Sequence, residues 1–245
     1  MAVLIFDFDG TIHDSMCIYA PAVRACQQTY AAMGLLPDRE VPDAQIRSYL
    51  GLTAAQMWQS FAPHLSKEQQ EEGSRFIYRE MEQLARNGTA RLYEGAVSML
   101  KELRQKGHRL IFLSNCSRNY MQLHQEVFGL DHIFHEMYCA EQFDWEPKPW
   151  IVRRLLPGWM SAAEAGKAPE QEMMIAIGDR YTDMEIRQAA KASDAAVRTI
   201  FCAYGFGSLQ EGTDADAVVY SVEEIPAAVC KVSESTCFPA LETLR

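Results

Sequence analysis

Met1-Ala2-Val3-Leu4-Ile5-Phe6-Asp7-Phe8-Asp9-Gly10-Thr11 decides the reading of this chain. An apolar run passes directly into two carboxylates, a glycine and a hydroxyl. This reads as a buried strand that ends in a polar turn. Strand alternation sends Asp7 and Asp9 to one face and Phe8 to the other. Two like charges that close repel, unless a cation sits between them or one carries a proton. The stretch therefore predicts chemistry at a strand end; the plainer alternative is a polar turn after an edge strand.

Outward from it, short apolar runs alternate with helical patterns. Strands are expected at residues 2–8, 109–113, 136–140, 173–177, 197–203 and 216–220. Helices fill most gaps, among them residues 95–106, stopped by Gly107, and 183–192. That alternation predicts an α/β fold with a doubly wound parallel sheet. Ligands then bind beyond the carboxyl ends of the strands.

Residues 14–91 break the pattern. Met16, Tyr19, Val23, Cys26, Tyr30 and Met33 recur every three or four residues, one apolar helix face closed by Gly34. Ser66-Lys67-Glu68-Gln69 fits a capping box for a helix running to Asn87-Gly88. The expected organisation is a catalytic core of residues 1–13 and 92–245 with an α-helical cap of residues 14–91. The cap leaves and returns beside Asp7 and Asp9, where it can serve as a lid.

Composition narrows the partners. The 245 residues are 48% hydrophobic and 23% charged, with a formal net charge of −10. No basic run appears, which argues against a nucleic-acid surface. Anionic substrates stay open, because a local cation or lysine reverses the field in a cleft. Seven cysteines without a CxxC read as reduced thiols in a cytoplasmic protein. No room for a signal peptide is seen ahead of the first strand, and no apolar run approaches the ~18–20 residues of a membrane span. A monomer or homodimer is expected.

The other strand ends carry polar groups too. Residues 110–113 lead into Ser114-Asn115, and a helix beginning near Ser117 would aim free N–H groups at an anion. Residues 173–177 lead into Gly178-Asp179-Arg180-Tyr181-Thr182-Asp183. Thr182 and Glu185 fit a capping box, which makes Asp183 the first residue of a helix. A carboxylate behind an apolar strand is costly unless paired, which singles out Asp179. Four carboxylates at two strand ends suit a hard divalent cation, Mg²⁺ above others, and no His/Cys cluster suits zinc. Glu146-Pro147-Lys148-Pro149 holds Lys148 stiffly at a helix start, where it can neutralise a nucleophile and hold a phosphate oxygen.

The order Asp7-x-Asp9-Gly10-Thr11, Ser114-Asn115, Lys148-Pro149, Gly178-Asp179-x-x-x-Asp183 resembles the haloacid dehalogenase-like hydrolase superfamily. It is most similar to the phosphoglycolate phosphatase-like branch with an α-helical cap. The resemblance implies a Rossmann-like core, Mg²⁺ and an aspartyl-phosphate intermediate. By that resemblance Asp7 is the nucleophile. Asp9 protonates the leaving oxygen and then deprotonates water, which calls for a raised pKa. Asp7, the Asp9 carbonyl and Asp179 hold the metal, with Asp183 as a ligand or a water-mediated support. Ser114 and Lys148 hold phosphoryl oxygens, with Thr11 and Asn115 in support. Arg47 lies near the cap's substrate loop. The substrate is a small phosphorylated metabolite. A phosphomutase of the β-phosphoglucomutase kind, or a non-catalytic phosphate-sensing protein, are the alternatives. Asp9 disfavours dehalogenation, and an exposed Lys67 disfavours phosphonate hydrolysis. Three features depart from the branch. His13 replaces an aliphatic residue and reads as hinge packing, with contact to a leaving group as the alternative. Arg180 stands where a small hydroxyl is common, free to pair with a carboxylate or an anionic substrate. The connection 156–172 is long.

Overall fold

The computed structural model describes residues 1–161, 173–192 and 196–234. Among the described residues six strands form one sheet: β1 (Ala2–Phe6), β2 (Arg109–Ser114), β3 (Glu136–Cys139), β4 (Met173–Gly178), β5 (Val197–Cys202) and β6 (Ala217–Val219). All pair in parallel, in the order β3-β2-β1-β4-β5-β6. The expected α/β doubly wound, Rossmann-like architecture is present.

The strands are apolar on both sides because both faces are covered. Leu4, Phe6, Leu110, Phe112, Ile175, Ile177 and Ile200 pack into one layer. Val3, Ile5, Ile111, Leu113, Met174 and Ala176 pack into the other. Helices α5 (Ala96–Gln105), α6 (Arg118–Phe128) and α9 (Ile225–Glu234) contribute to the first layer. Helix α7 (Lys148–Ser161) contributes Ile151, Val152, Leu156 and Trp159 to the second. It continues through Pro157, so the first part of the long 156–172 connection is helix. Residues 162–172 lie outside the described residues.

Between β1 and β2 stand only helices: α1 (Met16–Ala32), α2 (Asp43–Arg47), α3 (Ala54–Phe61), α4 (Lys67–Arg86) and then α5. Helix α4 opens with the expected capping box: Ser66 Oγ accepts from Gln69 N, and Gln69 Oε1 accepts from Ser66 N. On α1, Val23, Cys26 and Tyr30 are buried, while Met33, past the helix end, faces solvent. The outgoing and returning segments are tied together. Asp14 N donates to the Arg91 carbonyl at 3.0 Å and Tyr93 N to the Ile12 carbonyl at 2.8 Å. Among the described residues no helix is long and apolar enough to cross a membrane.

Strand order reverses at β1: the chain turns to β2 on one side and β4 on the other. The crevice at the carboxyl ends of β1 and β4 is therefore the switch point where such sheets bind ligands. Asp7 follows β1 there, and Asp179 follows β4.

Candidate active site

Strand β1 ends at Phe6, two residues earlier than expected. Asp7 still holds the sheet edge, its amide donating to the Ile177 carbonyl at 2.9 Å. Asp9 belongs to the following loop, so strand alternation does not orient it. Gly10, at φ +87°, makes that turn in a region that favours glycine. A Cβ at Gly10 would run into the Asp179 carboxylate, so the two motifs meet there.

Lys148 is buried and bridges two carboxylates. Its Nζ lies 2.6 Å from Asp7 Oδ1 and 2.5 Å from Asp183 Oδ1. Burial would lower the lysine's pKa, but Asp183 and Asp7 outweigh it and hold the ammonium charged. Asp7 is pushed well above the usual carboxylate range by burial, with Asp183 and Asp179 adding to the rise and Lys148 opposing it. Asp179 is raised to about 7 by burial and by the Asp183 charge, against the Phe206 amide.

Asp183 is the third residue of helix α8 (Tyr181–Met184), not the first residue of a helix as expected. Its Oδ2 accepts from Arg180 N at 3.0 Å, which replaces the Thr182–Glu185 capping box. Arg180 takes the carboxylate alternative: its Nε lies 3.0 Å from Glu211 Oε2.

The fit to a divalent cation rests on two observations. Asp7, Asp179 and Asp183 each offer an oxygen within 4.8 Å of the others. Asp179 Oδ2 accepts from the amides of Phe206 (2.6 Å) and Gly207 (3.3 Å). Asp179 Oδ1 is buried with no partner among the described residues. A buried, unpaired carboxylate oxygen in a three-acid cluster is the donor set a hard cation takes.

The remaining expected residues are spread around this centre. Ser114 is buried at the end of β2, and Asn115 is exposed just after it. Thr11 Oγ1 is buried without a partner among the described residues, while its carbonyl accepts from Tyr204 Oη at 2.7 Å. Arg47, on α2, donates to the Gly205 carbonyl at 3.1 Å and lies over the Phe206 ring. Lys67 is exposed at the start of α4, as expected.

Asp9 departs from expectation. Burial would raise its pKa, but hydrogen bonds from His13 and Tyr120 hold it below the usual range. Its Oδ1 lies 2.9 Å from His13 Nδ1 and 2.8 Å from Tyr120 Oη. Tyr120, Glu211 and the Phe206 and Gly207 amides escaped the sequence reading. Only Tyr120 left a signal: it sits in the first turn of a helix that follows a strand end.

The profile of the haloacid dehalogenase-like hydrolase family matches residues 4–197. A phosphoglycolate phosphatase of Vibrio cholerae serotype O1 is 27% identical over 190 residues, covering 74% of this chain and 77% of that protein. A predicted phosphoglycolate phosphatase from Haemophilus somnus 129pt superposes with a TM-score of 0.73 at 19% identity, over 94% of this chain and 98% of that one. CbbY from Rhodobacter sphaeroides, solved with phosphate, superposes at 0.68 and 20% identity, over 92% and 96%. The chain thus belongs to the haloacid dehalogenase-like hydrolases, an enzyme on the phosphoglycolate phosphatase-like side of that family.

Proposed function

We propose that this phosphatase hydrolyses a small phosphorylated metabolite through an aspartyl-phosphate on Asp7, with Mg²⁺ held by Asp7, the Asp9 carbonyl, Asp179 and Asp183. The observation that carries the reading is Lys148 bridging Asp7 and Asp183 beside the partnerless Asp179 oxygen. Bound Mg²⁺ supplies positive charge that offsets the acids and the transferring phosphoryl group.

The chain's own groups do the rest. The Lys148 ammonium opposes the rise in the Asp7 pKa and so favours the carboxylate that attacks phosphorus. Its ammonium, with Ser114, Thr11 and the amide of Asn115, holds phosphoryl oxygens. Asp9 gives its proton to the departing oxygen and later takes one from water. The resting carboxylate is held ionised by two donors, so the acid form arises with substrate in place. Residues 14–91 act as the cap. Arg180 Nη1 donates to the Leu50 carbonyl, and Arg47 reaches back to Gly205, so each side latches the other. Arg47 is the residue assigned to read an acidic group of the substrate.

The test is phosphate release from phosphoglycolate, sugar phosphates, nucleotides and pyrophosphate, with Mg²⁺ or EDTA. Turnover that EDTA abolishes is expected. An isomerised sugar phosphate without released phosphate would replace hydrolysis by a mutase reaction. No turnover and no isomerisation on any compound would favour phosphate sensing.

Thermal melting checks the cation separately. Asp7 and Asp179 have raised pKa values in the folded chain, so their folded-state contribution is fully present below about pH 4 and is lost as pH rises, for Asp179 through about 7. Cation binding offsets that loss. Mg²⁺ at about 100 times its dissociation constant should raise the midpoint by about 5–10 °C at pH 8. The rise should shrink at pH 5.5, where protons compete, and fall sharply in Asp179→Asn. An equal rise in Asp179→Asn would remove Asp179 from the site.

A further inference from the structure

His13 is the departure from the family pattern that the proposed reaction leaves unused. The loop after β1 curls over one carbonyl: the amides of Thr11, Ile12 and His13 all donate to Phe8 O, at 3.2, 2.9 and 2.9 Å. Gly10 N closes it by donating to His13 O at 2.9 Å. This fold-back, not a helical turn, brings His13 beside Asp9.

The imidazole is fully buried. It stacks on Phe8 at 4.9 Å and 17°, with His124 and Phe128 on other sides. Its Nδ1 meets Asp9 Oδ1, while its Nε2 is buried with no partner among the described residues. A buried imidazole with one nitrogen unsatisfied is costly where an aliphatic side chain would pack freely. Packing alone does not account for it; its short hydrogen bond is the one to Asp9, with the Cys17 thiol and the Tyr120 hydroxyl close by.

Tyr120 reaches the same oxygen from α6, 111 residues away in sequence. Its position is set by Ser117, whose Oγ accepts the Tyr120 amide at 3.3 Å. Two donors on rigid, separate elements therefore converge on Oδ1. Among the described residues Oδ2 accepts no hydrogen bond, and the Asp9 side chain keeps 25% of its exposure. Fixing one carboxylate oxygen fixes the rotation of the other.

We infer that His13 and Tyr120 are positioning residues for Asp9: together they clamp Oδ1 so that Oδ2 faces the reacting phosphoryl group. This rests on the proposed role of Asp9 as proton donor and acceptor. In that role Oδ2 carries the proton that leaves with the departing oxygen, and it takes one back from the attacking water.

The test uses inorganic phosphate, so it needs no knowledge of the natural substrate. Phosphate labelled with ¹⁸O is incubated with enzyme and Mg²⁺ in ordinary water. Asp7 attacks phosphorus, one labelled oxygen leaves as water with the Asp9 proton, and unlabelled water returns to regenerate phosphate. Each cycle removes label, read by mass spectrometry. Wild type should exchange, and Asp9→Asn should not. Tyr120→Phe, which keeps the ring, and His13→Val should each slow exchange by about 10-fold or more, with phosphate affinity unchanged. His13→Asn, whose amide NH₂ can stand in for Nδ1–H, should recover most of the rate. A slower rate without weaker binding, rescued by Asn, is not what loose packing produces.

If Asp9→Asn is inactive while Tyr120→Phe and a folded His13→Val exchange like wild type, the clamp is overturned and the proposed function stands. If wild type fails to exchange, or Asp9→Asn exchanges like wild type, the reaction assigned to Asp9 fails and the clamp falls with it.

Discussion

Asp7→Asn should reduce turnover by roughly 10⁴-fold or more, the scale on which loss of a nucleophile is felt. Its melting midpoint should hold or rise. Asp7 is a buried carboxylate held well above its usual pKa by burial and by the charges of Asp183 and Asp179. A neutral isostere removes that repulsion, and its amide oxygen still accepts from Lys148. Activity and stability should thus move in opposite directions, the signature of a group kept for chemistry at a cost to the fold. Steady-state kinetics and a melt at pH 8 without metal read both. Turnover within 10-fold of wild type would exclude a covalent intermediate on Asp7.

Lys148→Met should damage both quantities, and metal should separate them. Removing one partner of a buried charge pair leaves the other uncompensated, at about 3–5 kcal/mol. For a chain of this size that corresponds to about 10 °C or more in the metal-free midpoint. The sign follows from the acids. The gap to wild type should be widest where Asp7 is ionised and should narrow as falling pH protonates it. The raised pKa of Lys148 keeps its own contribution up to about pH 10, where an unfolded lysine loses its charge. Mg²⁺ should restore most of the midpoint, since a cation supplies the missing charge. It should leave turnover about 10²–10³-fold down, since removal of a preformed charge at a reacting centre costs that much. Recovery of turnover together with the midpoint would reduce Lys148 to a structural counter-ion.

Much of this was readable in advance because it is local. Apolar runs of five or six residues ending in acids gave the strands and the edge where Asp7 and Asp179 stand. Ser66 and Gln69 gave α4 through hydrogen bonds only three residues apart. What was not readable is set by folding back or by distance. Asp9 escapes strand alternation because the strand stops at Phe6. The reach of Tyr120 to Asp9, of Glu211 to Arg180 and of the Phe206 amide to Asp179 depends on where separate elements land in space. Arg180 itself shows the limit: a pairing with a carboxylate was foreseen, but not which carboxylate. His13 shows it again, since burial at the hinge was legible and its hydrogen bond to Asp9 was not.

The central place of β1 has a consequence for synthesis on the ribosome. Ala2–Phe6 is flanked by β2 and β4, which end at Ser114 and Gly178. At about 5–20 residues per second, the second flank emerges roughly 10–35 s after the strand itself. During that interval five apolar residues have an unsatisfied edge, while α1 to α4 can already pack on one another. Pairings this distant in sequence also slow folding after release. The nascent chain therefore keeps an apolar strand of the sheet's centre without its second neighbour through most of its synthesis, the condition under which an unpaired strand edge calls on a chaperone.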